Sequence, residues 1–448
     1  MDSLPTELLT RIVGFRSKAD LATTRLVNGR FNQIASSILF SELTLYAHYF
    51  DCYMRLPPWP LDYDAQKFKN VVNHGIFRPL VKKVCIYTCE PHADHNVAIF
   101  GRDMGEFPNL QGLTIIFDRH VAAEQHDMDP IFQDQQLRHN ILNDIINPLK
   151  DRIRDLWIRS LSGCESPVSG LRSLRLSVVH EETEPDLEPH TQSIVKTCNP
   201  HTFWAALPAR ILAPSATTLT HLVLYSSLMV GWYPKLDFRL VFLPNLKTLS
   251  LGMFLFFDDH QIDWIVSHRN SLRALYLDHC AIRYQVGHTI TDWLDPEGYI
   301  TNPQAESASP DGDEDEHFPA IQTIEISLRW HNIFDRLAED MNLREFRFGT
   351  SEGWNFEMRC RFGSCPRRGI DIFPQMPWDQ ECSIANTIYA ERYVHWDDWE
   401  HLYETEWELD WKYDWGKDWI DRLHSAPNCD EEDDASLQAL LNKINRRK

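Results

Sequence analysis

One short pattern constrains this chain more than any other: apolar, two variable residues, apolar, one variable residue, apolar. It reads Val81-Val84-Ile86, Leu110-Leu113-Ile115, Ile153-Leu156-Ile158 and Leu171-Leu174-Leu176. It returns as Leu219-Leu222-Leu224, Leu246-Leu249-Leu251, Leu272-Leu275-Leu277, Ile321-Ile324-Ile326 and Leu343-Phe346-Phe348. An earlier copy is Phe40-Leu43-Leu45. The last two apolar positions alternate as in a short strand, and the first sits at the turn before it. Nine copies after residue 80 exceed what chance supplies.

The pattern resembles leucine-rich repeats, whose strands line the concave side of a horseshoe. Copies are 27 and 26 residues apart from Leu219 through Leu246 to Leu272, and 18 to 49 apart elsewhere. Pro-Asn-Leu leads into a strand at 108–110 and again at 244–246. Between strands, Asp258 to Arg269 is the clearest candidate helix. An unrelated α/β fold with several such strands is the competing reading.

The first forty residues carry a second pattern. Pro5 suits a helix start, because a first-turn proline gives up no hydrogen bond. Leu8, Leu9, Ile12, Val13 and Phe15 follow at helical spacing. Asp20 is a candidate cap for a second short helix with Leu21, and Leu26, Phe31, Ile34 and Ile38 continue the apolar series. Three short helices bury little core alone, so they lend apolar surface to something else.

The ordered set Leu4-Pro5, Glu7-Leu8-Leu9, Ile12-Val13, Asp20-Leu21, Arg25-Leu26-Val27-Asn28 and Arg30-Phe31 resembles an F-box. Arg16 departs from it, standing where family members usually keep an apolar residue, which puts the end of the first helix in question. An ordinary helical cap on a larger domain is the competing reading. The resemblance implies docking on a Skp-type adaptor and, through it, a cullin, with the rest of the chain holding a protein target. Carried over by position, the adaptor-facing residues are Leu4, Pro5, Leu8, Ile12, Leu21, Leu26, Val27 and Phe31, some of which pack the module's own core.

With 448 residues and 43% hydrophobic content, the chain has room for two or three domains. No apolar run reaches the ~20 residues a bilayer span needs. Asp2 and the lack of an apolar signal core argue against secretion, and ten scattered cysteines suit reduced thiols in the cytosol or nucleus. The net charge of −21 is concentrated: residues 389–434 hold 16 acidic and 4 basic side chains, 181–190 contribute −5 and 303–316 contribute −6. The body is near neutral, with no cationic footprint for nucleic acid. Residues 301–316 read as disordered by composition.

Two clusters invite a zinc reading. Cys85, Cys89, His92 and His95 are close in sequence. Yet Cys89 follows Ile86 by three, as Cys280 follows Leu277, and there the repeat resemblance implies a Cys or Asn bonding backbone. Cys85 would then stand on the exposed strand face. Cys360, Cys365 and Cys382 with His395 lack a second close pair, so free thiols are the stronger reading. No nucleophile elbow, phosphate-cradling loop or paired-carboxylate frame is present. The expectation is a chain without a catalytic site, a cofactor or a metal.

Residues 396–419 hold Trp396, Trp399, Trp407, Trp411, Trp415 and Trp419. A four-residue step winds around a straight helix, so one buried stripe does not explain the series. The same residues alternate as a strand, while the Glu408–Lys412 and Asp418–Arg422 spacings favour a helix. The segment reads either as a cap closing the repeats or as a partner-binding surface. After Asp430-Glu431-Glu432-Asp433-Asp434, a helix is expected from Ser436 to Ile444.

Together these readings give an α/β chain: a three-helix F-box (1–46), a connector (47–79), an irregular leucine-rich-repeat solenoid (80–350) and an acidic, tryptophan-rich C-terminal cap region (351–448). The function expected is substrate recognition in an SCF-type ubiquitin ligase, with neither nucleic acid nor membrane as a partner. The alternative is a non-proteolytic scaffold that binds the adaptor without a cullin.

Overall fold

A computed structural model describes residues 4–47, 68–88, 103–117, 142–161, 168–178, 198–288, 295, 299, 322–350, 384, 386–389, 392–397 and 426–447. The chain is mixed α/β with a mostly parallel sheet, divided into two compact units, 1–176 and 177–448. Among the described residues, no helix is long and apolar enough to cross a membrane.

The first unit opens with α1 (Thr6–Gly14), α2 (Lys18–Thr24) and α3 (Gly29–Leu39), which leads directly into β1 (Glu42–Ala47). The strands β2 (Lys83–Thr88), β3 (Gly112–Phe117), β4 (Asp155–Leu161) and β5 (Ser173–Val178) follow β1 in spatial order. Pairing is parallel from β1 through β4 and puts like positions of the sequence pattern in register: Leu43 faces Val84, then Leu113, then Leu156. Leu45, Ile86, Ile115 and Ile158 form the next row, and all four are buried. The first apolar position of each later copy, Val81, Leu110, Ile153 and Leu171, is buried too.

The second unit repeats this arrangement. Its elements are α4 (Cys198–Leu207), β6 (His221–Val230), β7 (Thr248–Phe256), α5 (Asp259–Ser267), β8 (Ala274–Asp278) and β11 (Glu345–Gly349). Leu222, Leu249, Leu275 and Phe346 share one row, and Leu224, Leu251, Leu277 and Phe348 the next. A backbone device recurs in both units: one carbonyl accepts two successive N–H groups from the following strand's approach. Ser41 O takes Lys82 and Lys83, Lys82 O takes Gln111 and Gly112, and Lys247 O takes Arg273 and Ala274. The two Pro-Asn-Leu turns also match, since Asn109 Nδ2 donates to Pro79 O at 2.6 Å and Asn245 Nδ2 to Thr217 O at 2.7 Å.

Cys280 donates its Sγ hydrogen to Leu251 O at 3.2 Å. Helix α5 is held by a capping box in which the Asp258 and Gln261 side chains each bond the other's backbone.

Three expectations are corrected. Ile321-Ile324-Ile326 is not a rung of the ladder: Ile324 lies on β10 (Gln322–Glu325), antiparallel to β9 (Ala281–His288), and is 42% exposed. The ladder passes from β8 straight to β11. An Ile-x-Ile alternation suits any half-exposed strand, so the pattern alone did not separate this excursion from a repeat. Cys85 is itself buried, although it shares its sheet face with exposed Thr44. The C-terminal helix α7 starts at Asp430 and runs to Asn445, its first turn made of the acidic run itself.

Three elements complete this unit. Helix α6 (Trp330–Asp340) buries Trp330, Ile333, Phe334 and Leu337, and α7 packs beside it through Leu437, Leu440 and Ile444. Strand β12 (Tyr393–Asp397) joins β9 in parallel. The outer edge of β11 is satisfied by Asn386 and Thr387: Phe348 N donates to Asn386 Oδ1, and Thr387 N donates to Phe348 O.

Candidate functional site

The N-terminal helices combine a finished core with an unfinished surface. Pro5 stands at the N-cap of α1, where its carbonyl accepts the first helical bond from Leu9 N at 3.1 Å. The cap of α2 is Ser17, not Asp20: Ser17 Oγ accepts from Asp20 N at 3.1 Å and donates to Asp20 Oδ2 at 2.8 Å. Asn28 caps α3 by accepting from Phe31 N at 3.0 Å. The Ser17-x-x-Asp20 spacing was the readable signal for the former, and Asn28 before a glycine for the latter. Helix α1 ends at Gly14, ahead of Arg16, which is exposed. The Arg30 guanidinium donates to Leu4 O and, at 3.2 Å, to Thr6 Oγ1, tying α3 to the chain entering α1.

Leu9, Val13, Leu21, Ile34 and Ala35 fill the core of this module, with Leu4, Phe31, Ile38 and Leu39 partly buried against it. Of the residues carried over by position, Leu21 is thus spent on internal packing, and Leu4 and Phe31 expose only part of their side chains. The opposite holds for Leu8, Ile12, Phe15, Leu26 and Val27, which are between 48% and 85% exposed. Leu8 and Ile12 lie one turn apart on α1 beside the inward Leu9 and Val13. Pro5 is exposed at the head of the same helix. Covering an exposed aliphatic or aromatic side chain releases on the order of 1–3 kcal/mol, so five together are costly to leave in water.

A stacked joint anchors the module to the first strand turn. Phe40, at the end of α3, stacks on Phe77 with ring centroids 4.2 Å apart, and His74 stacks on Phe77 at 4.1 Å. The Arg25 guanidinium lies 5.3 Å from both phenylalanine centroids, and its Nε donates to Asn32 Oδ1 at 3.2 Å. Residues 4–39 hold five basic and two acidic side chains, a local charge of +3 in a chain of −21.

The sheet face opposite the leucine rows differs between units. In the second unit Val223, Tyr225, Ser250, Tyr276 and Asp278 are buried there, with Tyr225 Oη donating to Asp278 Oδ2 at 3.1 Å. Gly252 admits the Tyr225 ring, since a Cβ at that position would lie 2.2 Å from Tyr225 Cδ1. In the first unit Thr44 is exposed, Cys85 beside it is buried, and Thr114, Trp157 and Arg175 are half-buried.

Of the tryptophans read as a partner surface, Trp396 lies in β12, in backbone register with Val286. Trp399, Trp407, Trp411, Trp415 and Trp419 lie outside the described residues, as do Cys89, His92, His95, Cys360, Cys365, Cys382 and residues 301–316. Among the described residues, no three His, Cys, Asp or Glu side chains group as a metal site. No family model matches the chain, and a search of the curated proteins finds no match.

Proposed function

We propose that this chain is the substrate-recognition subunit of an SCF-type cullin-RING ubiquitin ligase. Its N-terminal module docks on a Skp-type adaptor as an F-box, and the strand ladder is a degenerate leucine-rich-repeat solenoid. The observation that carries this reading is the exposure of Leu8, Ile12, Phe15, Leu26 and Val27 in a helical module whose own core is already complete. A mere cap on a larger domain would turn such side chains inward.

The solenoid half of the proposal rests on the in-register parallel rows, the matching asparagine bonds and the backbone-bonded Cys280. Catalysis lies in the other ligase subunits, and this chain contributes proximity by raising the effective concentration of target lysines near the transferred ubiquitin. The open part of the first unit's sheet face, with Trp157 and Arg175 half-exposed, is the better place for a target than the buried second-unit face, because Trp and Arg dominate binding hot spots.

Affinity capture of the full chain, probed for adaptor and cullin, tests the reading. Adaptor with cullin supports the ligase role. Adaptor without cullin makes the chain a non-proteolytic scaffold. Neither protein would sink the F-box assignment.

A further inference from the structure

Exposed apolar side chains are not confined to the helical module. Ile76 is 72% exposed, the one other large apolar side chain of the first unit so placed among the described residues. Its position is fixed by the turn around it: Phe77 N and Arg78 N donate to His74 O at 3.1 and 3.0 Å, and Ile76 N donates to His74 Nδ1 at 3.3 Å. The next residue, Phe77, carries the stack with Phe40 and the Arg25 guanidinium. Arg25 in turn immediately precedes Leu26. One ring–guanidinium contact thus joins the chain neighbour of exposed Leu26 to the chain neighbour of exposed Ile76.

Charge continues across the same joint. Residues 68–83 hold Lys69, Arg78, Lys82 and Lys83 and no acidic side chain. Against these stand Glu106, which pairs with Arg78 at 3.3 Å, and Glu42, which stands in register with Lys83; Lys69 and Lys82 add to the +3 of residues 4–39. Lys82 and Lys83 are exposed. A basic rim around apolar anchors selects an acidic surface and steers its approach.

We propose that the adaptor-docking face crosses this joint. Ile76 is a second apolar foot for the same partner, Arg25 is the positioning residue that holds Ile76 in line with Leu26, and the partner presents an acidic surface. This inference rests on the F-box reading above. It places one docking residue outside the helical module, on the turn before β2.

The test is calorimetric titration of the full chain with purified Skp-type adaptor. Ile76→Asp is expected to weaken binding about tenfold, as truncating one interface anchor does, with the melting temperature unchanged because the side chain is exposed. Ile76→Ser guards against an effect of the introduced charge and should move in the same direction. Arg25→Ala should weaken binding in the parent but add little in the Ile76→Ser background, since the two act as one unit. Arg25→Lys should restore part of the loss.

Raising salt from about 50 to 200 mM should weaken binding measurably. Binding indifferent to Ile76→Asp and Ile76→Ser, while Leu26→Asp abolishes it, overturns the inference and leaves the F-box reading standing. Additive losses from Arg25 and Ile76 overturn the positioning role, and a flat salt response overturns the acidic partner. Binding indifferent to Leu8→Asp and Leu26→Asp removes the F-box reading and this inference with it.

Discussion

Arg392 Nε donates to Asp433 Oδ2 at 2.9 Å, joining the residue before β12 to the first turn of α7 through two side chains that are almost wholly buried. Asp433 also accepts from Tyr393 Oη at 3.0 Å and from the backbone N of His331 at 2.9 Å. Helix α6 has no side-chain cap of its own at Arg329, so the carboxylate of a residue about a hundred positions later caps it. Burial works against the Arg392 charge, yet its bonds to Asp430 and Asp433 hold its pKa above the usual guanidinium value. Burial, reinforced by the Asp433 charge, pushes the Tyr393 phenol up, keeping it a donor.

Removing one partner strands the others. Asp433→Ala should cost about 3–5 kcal/mol, the range for breaking a buried ion pair from one side. Replacing both Arg392 and Asp433 by apolar residues should cost less than the two single losses combined. Denaturant unfolding of the four chains of the cycle measures the coupling.

His268 makes the fold sensitive to acid. Its Nε2 accepts from Leu243 N at 3.1 Å and its Nδ1 donates to Trp264 O at 2.7 Å, an arrangement only the neutral ring supports. Burial lowers its pKa, so the unfolded chain takes the proton first as pH falls. Stability from this group is present above about pH 6.5 and is lost below it, by up to ~1.4 kcal/mol per pH unit. Melting curves from pH 7.5 to 5 should show that slope, and His268→Gln should start lower but lose it.

Asn109 and Asn245 provide an internal comparison. Each donates to a carbonyl about thirty residues earlier, so Asn109→Ala and Asn245→Ala should each cost about 1 kcal/mol. Similar losses in urea titrations would match the shared turn. A loss from one alone would show that the two turns differ in energy despite their shared geometry.

Cys280 should be inert in the native state. Burial pushes its thiol pKa up, and the thiolate is the reactive form. Alkylation mapped by mass spectrometry should leave Cys280 unmodified until denaturant is added, while half-buried Cys429 reacts slowly before that.

The strand rows were legible because each pattern position buries one face of its strand, so a slip of one residue would turn every leucine of the row away from the core. The helical module was legible for the same reason, its apolar residues recurring at helical spacing. What the pattern did not separate was inward from outward. Leu8 and Leu9 are chemically alike, and only the packing of α1 on α3 turns one to the core and the other to solvent. Asp433 was missed for a different cause. In sequence it is one acid among five, and the partners that bury it, Arg392 and His331, come from far along the chain. Long-range polar pairing of that kind leaves no local period.

The most direct test of the account is one titration. Purified Skp-type adaptor is added to the full chain and to the Leu8→Asp, Ile12→Asp double variant, with heat of binding and melting temperature recorded for both. The parent should bind tightly, and the variant not at all at an unchanged melting temperature, because both side chains are exposed. No binding by the parent, or equal binding by both chains, would contradict it.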